Sequence, residues 1–283
     1  MSPDDRPASP VHLDTSRAHS ARIHDQLLGG VDHYQPDRDA TAALQSVLSQ
    51  AQQHVRTSRA YLQHTIRSLA TEGIDQFADL GCGLPAFPHG DTHEAAQNIN
   101  RAARVVYADT DPIVLAHARC RLEDNDNIRI ADCDLRDTKR FREATSRFLD
   151  WDRPIVVLLS MVLDCLPDSG AVDPADVVRA TAEHLSPGSA VFVSLLVTDD
   201  PAVRVAVTAI MADATGGQWG RMRDTEFVHR CVVGLETAPP GPADVTGLLP
   251  DTTPRRARGP RRRQQQHQPD GSAVWSALVR IPF

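Results

Sequence analysis

Phe77-Ala78-Asp79-Leu80-Gly81-Cys82-Gly83-Leu84-Pro85 is a short apolar run that ends in an acid and then in two glycines separated by one residue. A buried strand entering a tight turn has this form, because Gly81 and Gly83 permit positive φ and let a ligand approach the backbone. The third glycine of a dinucleotide fingerprint is missing. Pro85 and the stretch 86–90 intervene before the next helix, which disfavours a pyrophosphate on that helix's N-terminus and weakens a nicotinamide-dehydrogenase reading. Asp79, Gly81 and Gly83 are the first ligand-site candidates.

Outward from this turn, short apolar runs alternate with helical stretches. Strands are predicted over Phe77 to Leu80, Arg104 to Asp109, Ile128 to Asp132, Ile155 to Met161 and Ala190 to Val197. Helices between them start legibly: Asp91-Thr92-His93-Glu94 fits a capping box, and Asp111-Pro112 and Asp173-Pro174 place an acid before a first-turn proline. Pro201 opens a further helix with Val203, Ala206, Val207 and Ile210 on one side. The nearly continuous apolar character of the last two strands indicates a parallel sheet covered on both faces, an α/β architecture. A short helix around Asp224 to Cys231, a strand near Val232 to Thr237 and a last strand from Ala273 to Ile281 would form a terminal hairpin.

Upstream, residues 1–14 read as a disordered lead-in rich in Pro, Ser and Asp. A helix from near Ser16 stops at Gly29-Gly30, and Pro36 to Ala70 follows a 3.6-residue apolar period. The frame is therefore a helical cap over 15–73 and a core over 74–283, in which 250–271 is a flexible Arg/Gln-rich loop.

The 283 residues suffice for a large buried core, and 41% hydrophobic with 24% charged residues is ordinary globular composition. Acids outnumber bases by 37 to 30. Six arginines lie between Pro254 and Arg263, so the remaining chain holds 24 bases against the 37 acids. Such a body is not built to clamp a phosphate backbone, and the arginine run lacks interleaved aromatics. Five scattered cysteines without a C-x-x-C pair suggest neither disulfides nor a zinc cage, and the twelve histidines show no zinc spacing, so no metal is expected. No secretory h-region or apolar run of spanning length occurs, and a cytoplasmic protein is expected.

Ligands of open α/β sheets bind beyond the carboxyl ends of the strands. The second strand ends in Asp109, suited to accept both hydroxyls of a ribose, with Thr110 beside it. The third ends in Asp132-Cys133-Asp134, where a carboxylate can accept from an adenine amine and the Cys133 amide can donate to a ring nitrogen. The fourth delivers Ser160 to Asp164 to the same rim. Taken in order, these features describe a nucleoside pocket without phosphates.

With these residues in place, the chain resembles the class I S-adenosylmethionine-dependent methyltransferases. Within them it is similar to the actinobacterial S-adenosyl methyltransferase family once catalogued as a domain of unknown function. The matching stretches are Ser20 to Gly30 (SARIHDQLLGG), Phe77 to Pro85 (FADLGCGLP), Thr92 to Gln97 (THEAAQ), Val105 to His117 (VVYADTDPIVLAH), Ala131 to Asp137 (ADCDLRD) and Asp152 to Leu159 (DRPIVVLL). Together they cover residues 16 to about 240.

The resemblance implies a Rossmann-like fold with a mostly parallel seven-stranded sheet, helices on both faces and an N-terminal helical cap. It also implies S-adenosylmethionine as cofactor, with Gly81 and Gly83 beside its methionine part, Asp109 on the ribose, and Asp132 and Cys133 on the adenine. Ser160 belongs to the same rim, and Arg22 or Arg38 is expected to pair with the cofactor's carboxylate. Methyl transfer is an in-line displacement that depends on alignment, so a strong protein base is optional. His24, Asp25, His33, Tyr34 and Asp164 are the candidates for such a base. The expected acceptor is a small molecule, methylated on O or N, with no nucleic-acid or membrane partner. The family carries Tyr where His24 and Gln26 stand and His where Asp164 stands, which motivates an alternative: a cofactor-binding regulatory or scaffold protein with weak or no turnover.

Overall fold

A computed structural model describes residues 14–168, 172–248 and 270–283. The expected lead-in over 1–14 and loop over 250–271, including Arg255 to Arg263, lie almost wholly outside the described residues. Three helices come first, α1 (Ser20–Leu28), α2 (Gln35–Val47) and α3 (Ala51–Thr71). Then follow β1 (Gln76–Leu80), α4 (Thr92–Gln97), β2 (Arg104–Asp109), α5 (Pro112–Arg121), β3 (Ile128–Asp132), α6 (Thr138–Thr145) and β4 (Val156–Ser160). A 3-10 turn (Leu163–Cys165), α7 (Asp176–Ala182), β5 (Ala190–Thr198), α8 (Pro201–Thr215), α9 (Thr225–Cys231), β6 (Ala243–Asp244) and β7 (Ser272–Arg280) complete the order.

The described strands form one seven-stranded sheet in the order β3-β2-β1-β4-β5-β7-β6. The pairings among β1 to β5 are parallel, and β7 runs antiparallel to both β5 and β6. Strand order reverses between β1 and β4, so the helices that follow these two strands leave on opposite faces and open a crevice at the strand ends.

Every residue of β1 and β5 is buried. Side chains alternate across a strand: Ala78 and Leu80 of β1 join Phe141 of α6, Val177 and Val178 of α7 and Phe227 of α9 on one face. Phe77 of the same strand joins Leu62, Ile66 and Leu69 of α3, Ala95 and Ala96 of α4 and Ala118 of α5 on the other. Each fully buried Phe, Leu or Ile contributes on the order of 1.5–3 kcal/mol to this arrangement. A third cluster joins Leu27 of α1, Leu44 of α2 and Val207 and Met211 of α8 to Leu196 and Val274 near one end of β5 and β7. This places α1 over that end of the sheet.

Several boundaries differ from the expected ones. The first helix starts at Ser20, capped by His19 rather than near Ser16. The helical stretch expected over Pro36 to Ala70 breaks at Leu48, which is 1% exposed. No Gly or Pro marks the break; it lets α2 pack on α8 while α3 lies along the sheet, tertiary packing overriding local propensity. The fourth strand stops at Ser160 because Met161 adopts φ 56. Residues Val232 to Thr237 are not a strand: Gly234 turns at φ 78, and only Thr237 makes a bridge, to Val279. The partner of β7 is instead β6. Asp173 accepts from the Ala175 amide at 2.9 Å, and the helix begins three residues after it, at Asp176.

Candidate active site

The turn after β1 is built as its two glycines require, with Gly81 at φ 66 and Gly83 at φ 65. Both Gly81 and Cys82 amides donate to the Ala108 carbonyl of β2, at 2.8 and 3.2 Å. A Cβ on Gly81 would overlap the Val162 side chain. At Gly83 a Cβ would meet nothing nearer than Ala21 Cβ at 4.0 Å, so this peptide faces open space. Gly81→Ala is therefore expected to destabilise the fold by about 2–3 kcal/mol and Gly83→Ala by only about 1 kcal/mol. Urea unfolding of the two variants checks this, and equal losses would contradict it.

Asp109 sits at the end of β2 against this turn. Its Oδ2 accepts from the Gly83 amide at 3.1 Å, and its Oδ1 from the Thr110 and Asp111 amides at 2.8 and 2.9 Å. Burial raises its pKa, and the three amides pull against that rise. Oδ1 is filled by its two amides, and Oδ2 keeps a lone pair for a further donor. Asp111 caps α5, accepting from Ile113 and Val114 at 2.6 and 3.1 Å.

A cavity of about 590 Å³ opens where these strands end. Gly81, Cys82, Gly83, Asp109, Thr110, Cys133, Asp134, Leu135 and Arg136 line one side of it, and Ser160, Met161, Val162, Cys165, Leu166 and Pro167 another. The start of α1 covers it through His19, Ser20, Ala21 and His24, and Gly217 and Gln218 close the rim. Cys82, Cys133 and Cys165 all have thiol pKa values raised by burial, which keeps them protonated and poorly nucleophilic.

The candidates of the sequence separate cleanly against this cavity. Gly81, Gly83, Asp109, Thr110, Cys133, Ser160 and His24 line it. Asp79 does not: it is buried beneath the turn, accepts from Thr92 Oγ1 at 2.6 Å, and burial pushes its carboxyl up to about 6. Asp132 is exposed and absent from the lining, whereas Asp134 is present. The Cys133 amide donates to the Asp109 carbonyl at 3.2 Å, so it is not free for a purine nitrogen. Asp134 is held by Arg136 Nε at 2.9 Å, and that hydrogen bond keeps its carboxyl below the ordinary range. Ser160 Oγ lies 3.0 Å from Ser194 Oγ, which in turn lies 3.2 Å from Ser58 Oγ.

Arg22 is turned away from the cavity. Its Nε donates to Asp37 at 2.9 Å and its other end to the Arg17 carbonyl, leaving little to offer a ligand carboxylate. Arg38 is exposed on Gln35. His33 leans on Asp25 at 3.2 Å, and Tyr34 stacks on Arg22 at the start of α2. Asp25, which also accepts from the Asp32 amide, holds this loop rather than the cavity. Asp164 lies behind the wall formed by Cys165 and Leu166, buried, with Oδ1 unpartnered.

His19 and Gln218 line the cavity but carry no signal in the sequence. Histidine is not among the favoured capping residues, and Gln218 belongs to a loop brought in from beyond β5.

The strand order with its antiparallel β7 is that of a class I methyltransferase. An acid holding amides on both oxygens, a glycine turn open to a ligand and a fourth-strand wall are groups that fit an uncharged-sugar nucleoside without phosphates. The profile of the S-adenosyl methyltransferase family matches residues 6–282, and the chain belongs to that family, an S-adenosylmethionine-dependent methyltransferase. Two solved structures are similar over nearly the whole length. One, from Thermobifida fusca YX and provisionally assigned as a methyltransferase, is 31% identical with a TM-score of 0.81, covering 98% of this chain and 100% of its own. The other, a DUF574 family protein from Streptomyces avermitilis MA-4680, is 29% identical with a TM-score of 0.80, covering 96% and 100%. A comparison with curated proteins finds no match. Among the described residues no helix is long and apolar enough to cross a membrane.

Proposed function

We propose that this methyltransferase acts on a small-molecule hydroxyl or amine, held in the cavity between the cofactor and the start of α1. The observation that carries this reading is His24, the one base candidate among His24, Asp25, His33, Tyr34 and Asp164 that lines the cavity. Ser20, Ala21 and His24 share a side of α1, since residues four apart on a helix lie on the same face. Burial and the Arg59 charge lower the His24 pKa to about 4. The imidazole is therefore neutral at physiological pH and keeps one nitrogen lone pair as an acceptor.

Asp109 would hold a ribose hydroxyl through Oδ2, Asp134 the adenine amine, and the Gly83 peptide would lie against the methionine arm. When bound, S-adenosylmethionine supplies an electrophilic methyl group on a sulfonium. His24 accepts the hydrogen of the acceptor's nucleophilic atom, which aligns that atom and takes up its proton only as bonding changes. At about 4 the imidazole is too weak a base to strip a hydroxyl beforehand. Its contribution is chiefly orientation, with water excluded by α1 and by Leu166 and Pro167. A cavity of this size accommodates a small acceptor beside a nucleoside, and the cover of α1 disfavours a folded macromolecule.

The test incubates the protein with methyl-labelled S-adenosylmethionine and a cell extract split by size. Label is expected in the small-molecule fraction, and His24→Ala should lower its rate about 100-fold while S-adenosylhomocysteine affinity stays within a few-fold. Label confined to protein or nucleic acid would overturn the proposed acceptor class. Intact S-adenosylhomocysteine binding with no labelled product in any fraction would favour a regulatory or scaffold protein instead.

A further inference from the structure

His19 binds on every side of its backbone and ring. Its amide donates to Asp37 Oδ1 at 2.9 Å, and its Nδ1 accepts from the Ala21 amide at 3.3 Å, capping α1. Because Nδ1 accepts, the ring proton sits on Nε2, which meets Asp111 Oδ2 at 3.0 Å. Asp111 uses its other oxygen to cap α5, and its amide donates to Asp109. One imidazole thus ties the helix covering the cavity to the loop that shapes the Asp109 carboxylate. His19 also lines both the main cavity and a side cavity of about 220 Å³ that Arg17, Asp111 and Gln218 share.

A second tie lies farther along the same two elements. Asp32, in the loop after α1, accepts from Arg121 Nη1 at 2.5 Å and lies 3.7 Å from His117 Nδ1, both on α5. That pair is part-exposed and well beyond the cavity lining, so it fixes where the loop lies without touching Asp109. His19 joins cover and ribose loop at the cavity itself.

We propose that His19 is a positioning residue for the cofactor: its bridge to Asp111 keeps the Asp109 loop in hydroxyl-accepting shape and α1 closed over the bound nucleoside. This rests on the assignment of Asp109 to the ribose. The bridge is a hydrogen bond to a charged group, and its loss should be felt when ligand binds rather than when the chain folds.

Asparagine separates the two roles of this residue. His19→Asn retains a good helix cap but is too short to reach Asp111, and Asp111→Asn retains the cap of α5 while removing the charge that faces Nε2. Binding of S-adenosylhomocysteine is measured by titration calorimetry for wild type, both single variants and the double variant, with the Tm of each unliganded protein. His19→Asn is expected to weaken binding about tenfold with faster release and a Tm within about 2 °C of wild type. The double variant should be no weaker than the worse single variant, because both remove one bridge. Wild-type affinity in His19→Asn, additive losses in the double variant, or a loss matched by a fall in Tm would each overturn the proposal. Failure of wild type itself to bind S-adenosylhomocysteine would instead refute the assignment of Asp109, so the two failures are distinguishable.

Discussion

Asp109→Ala is expected to weaken S-adenosylhomocysteine binding about 10- to 100-fold and to change stability far less. The carboxylate accepts from Gly83, Thr110 and Asp111 and retains one lone pair, on Oδ2. A charge-assisted bond from a ribose hydroxyl to Oδ2 is worth roughly 1.5–3 kcal/mol, which sets the scale of the loss. Of the three residues whose amides are freed, Gly83 and Thr110 line the cavity and Asp111 the side cavity; water can replace the carboxylate there, so the fold should lose only about 1 kcal/mol. Burial raises the Asp109 pKa, and protonation removes an acceptor. Binding to wild type should therefore weaken on acidification earlier than an ordinary carboxylate would allow. Calorimetric titration across pH checks both statements. A loss of about threefold or less in Asp109→Ala would remove the ribose assignment.

The parallel sheet and the glycine turn were legible because local rules decide them. Burial on both faces forces apolar strands, and paired glycines at positive φ have few substitutes. The edge of the site was less legible. The last strand residue is an acid that lines the cavity at β2 but not at β3. There Asp132 pairs in register with Asp109 yet stays exposed, while the Cys133 amide bends back to the Asp109 carbonyl and carries Asp134 to the cavity. Three acids at 132, 134 and 137 cannot be told apart by spacing, and Asp137 serves as the cap of α6.

Long-range pairs explain the other displacements. Arg22 lies two turns before the glycines and looks available, but Asp37, fifteen residues on, claims its Nε. His33 and Tyr34 follow the same glycines, and Asp25 and Arg22 draw them off the cavity. Such partners are set by how α1 and α2 fold back on each other, which no local period encodes. The cover itself is therefore the least predictable part of the site, and the part on which acceptor choice depends.

Asp164→Asn should stabilise the protein more at pH 8 than at pH 5. Burial pushes this carboxyl up to about 7, with Oδ1 unpartnered and the Arg223 charge giving only partial relief. The Arg223 guanidinium is engaged elsewhere, by Asp168 at 2.6 Å and the Leu166 carbonyl at 2.9 Å, stacked on Phe227. Between the ordinary value of 3.8 and about 7 the folded chain holds a proton here that the unfolded chain has released. Stability contributed by this group therefore falls as pH rises through that window and stays low above it. Ionised, Asp164 costs the fold at most about 4 kcal/mol, and about 2 kcal/mol after relaxation and water entry is the more realistic scale. Asparagine imitates the neutral acid at every pH, so the variant should gain about 5 °C in Tm at pH 8. Other groups do not confound the comparison. His24, lowered to about 4, makes stability rise with pH from about 4 to 6.5, the opposite sign, but contributes equally to both proteins. Thermal melts of wild type and variant from pH 5 to 8 give the difference curve directly. A difference in Tm that does not grow with pH would show that Asp164 is ionised or solvated within the fold, and would reopen it as a group accessible to the acceptor.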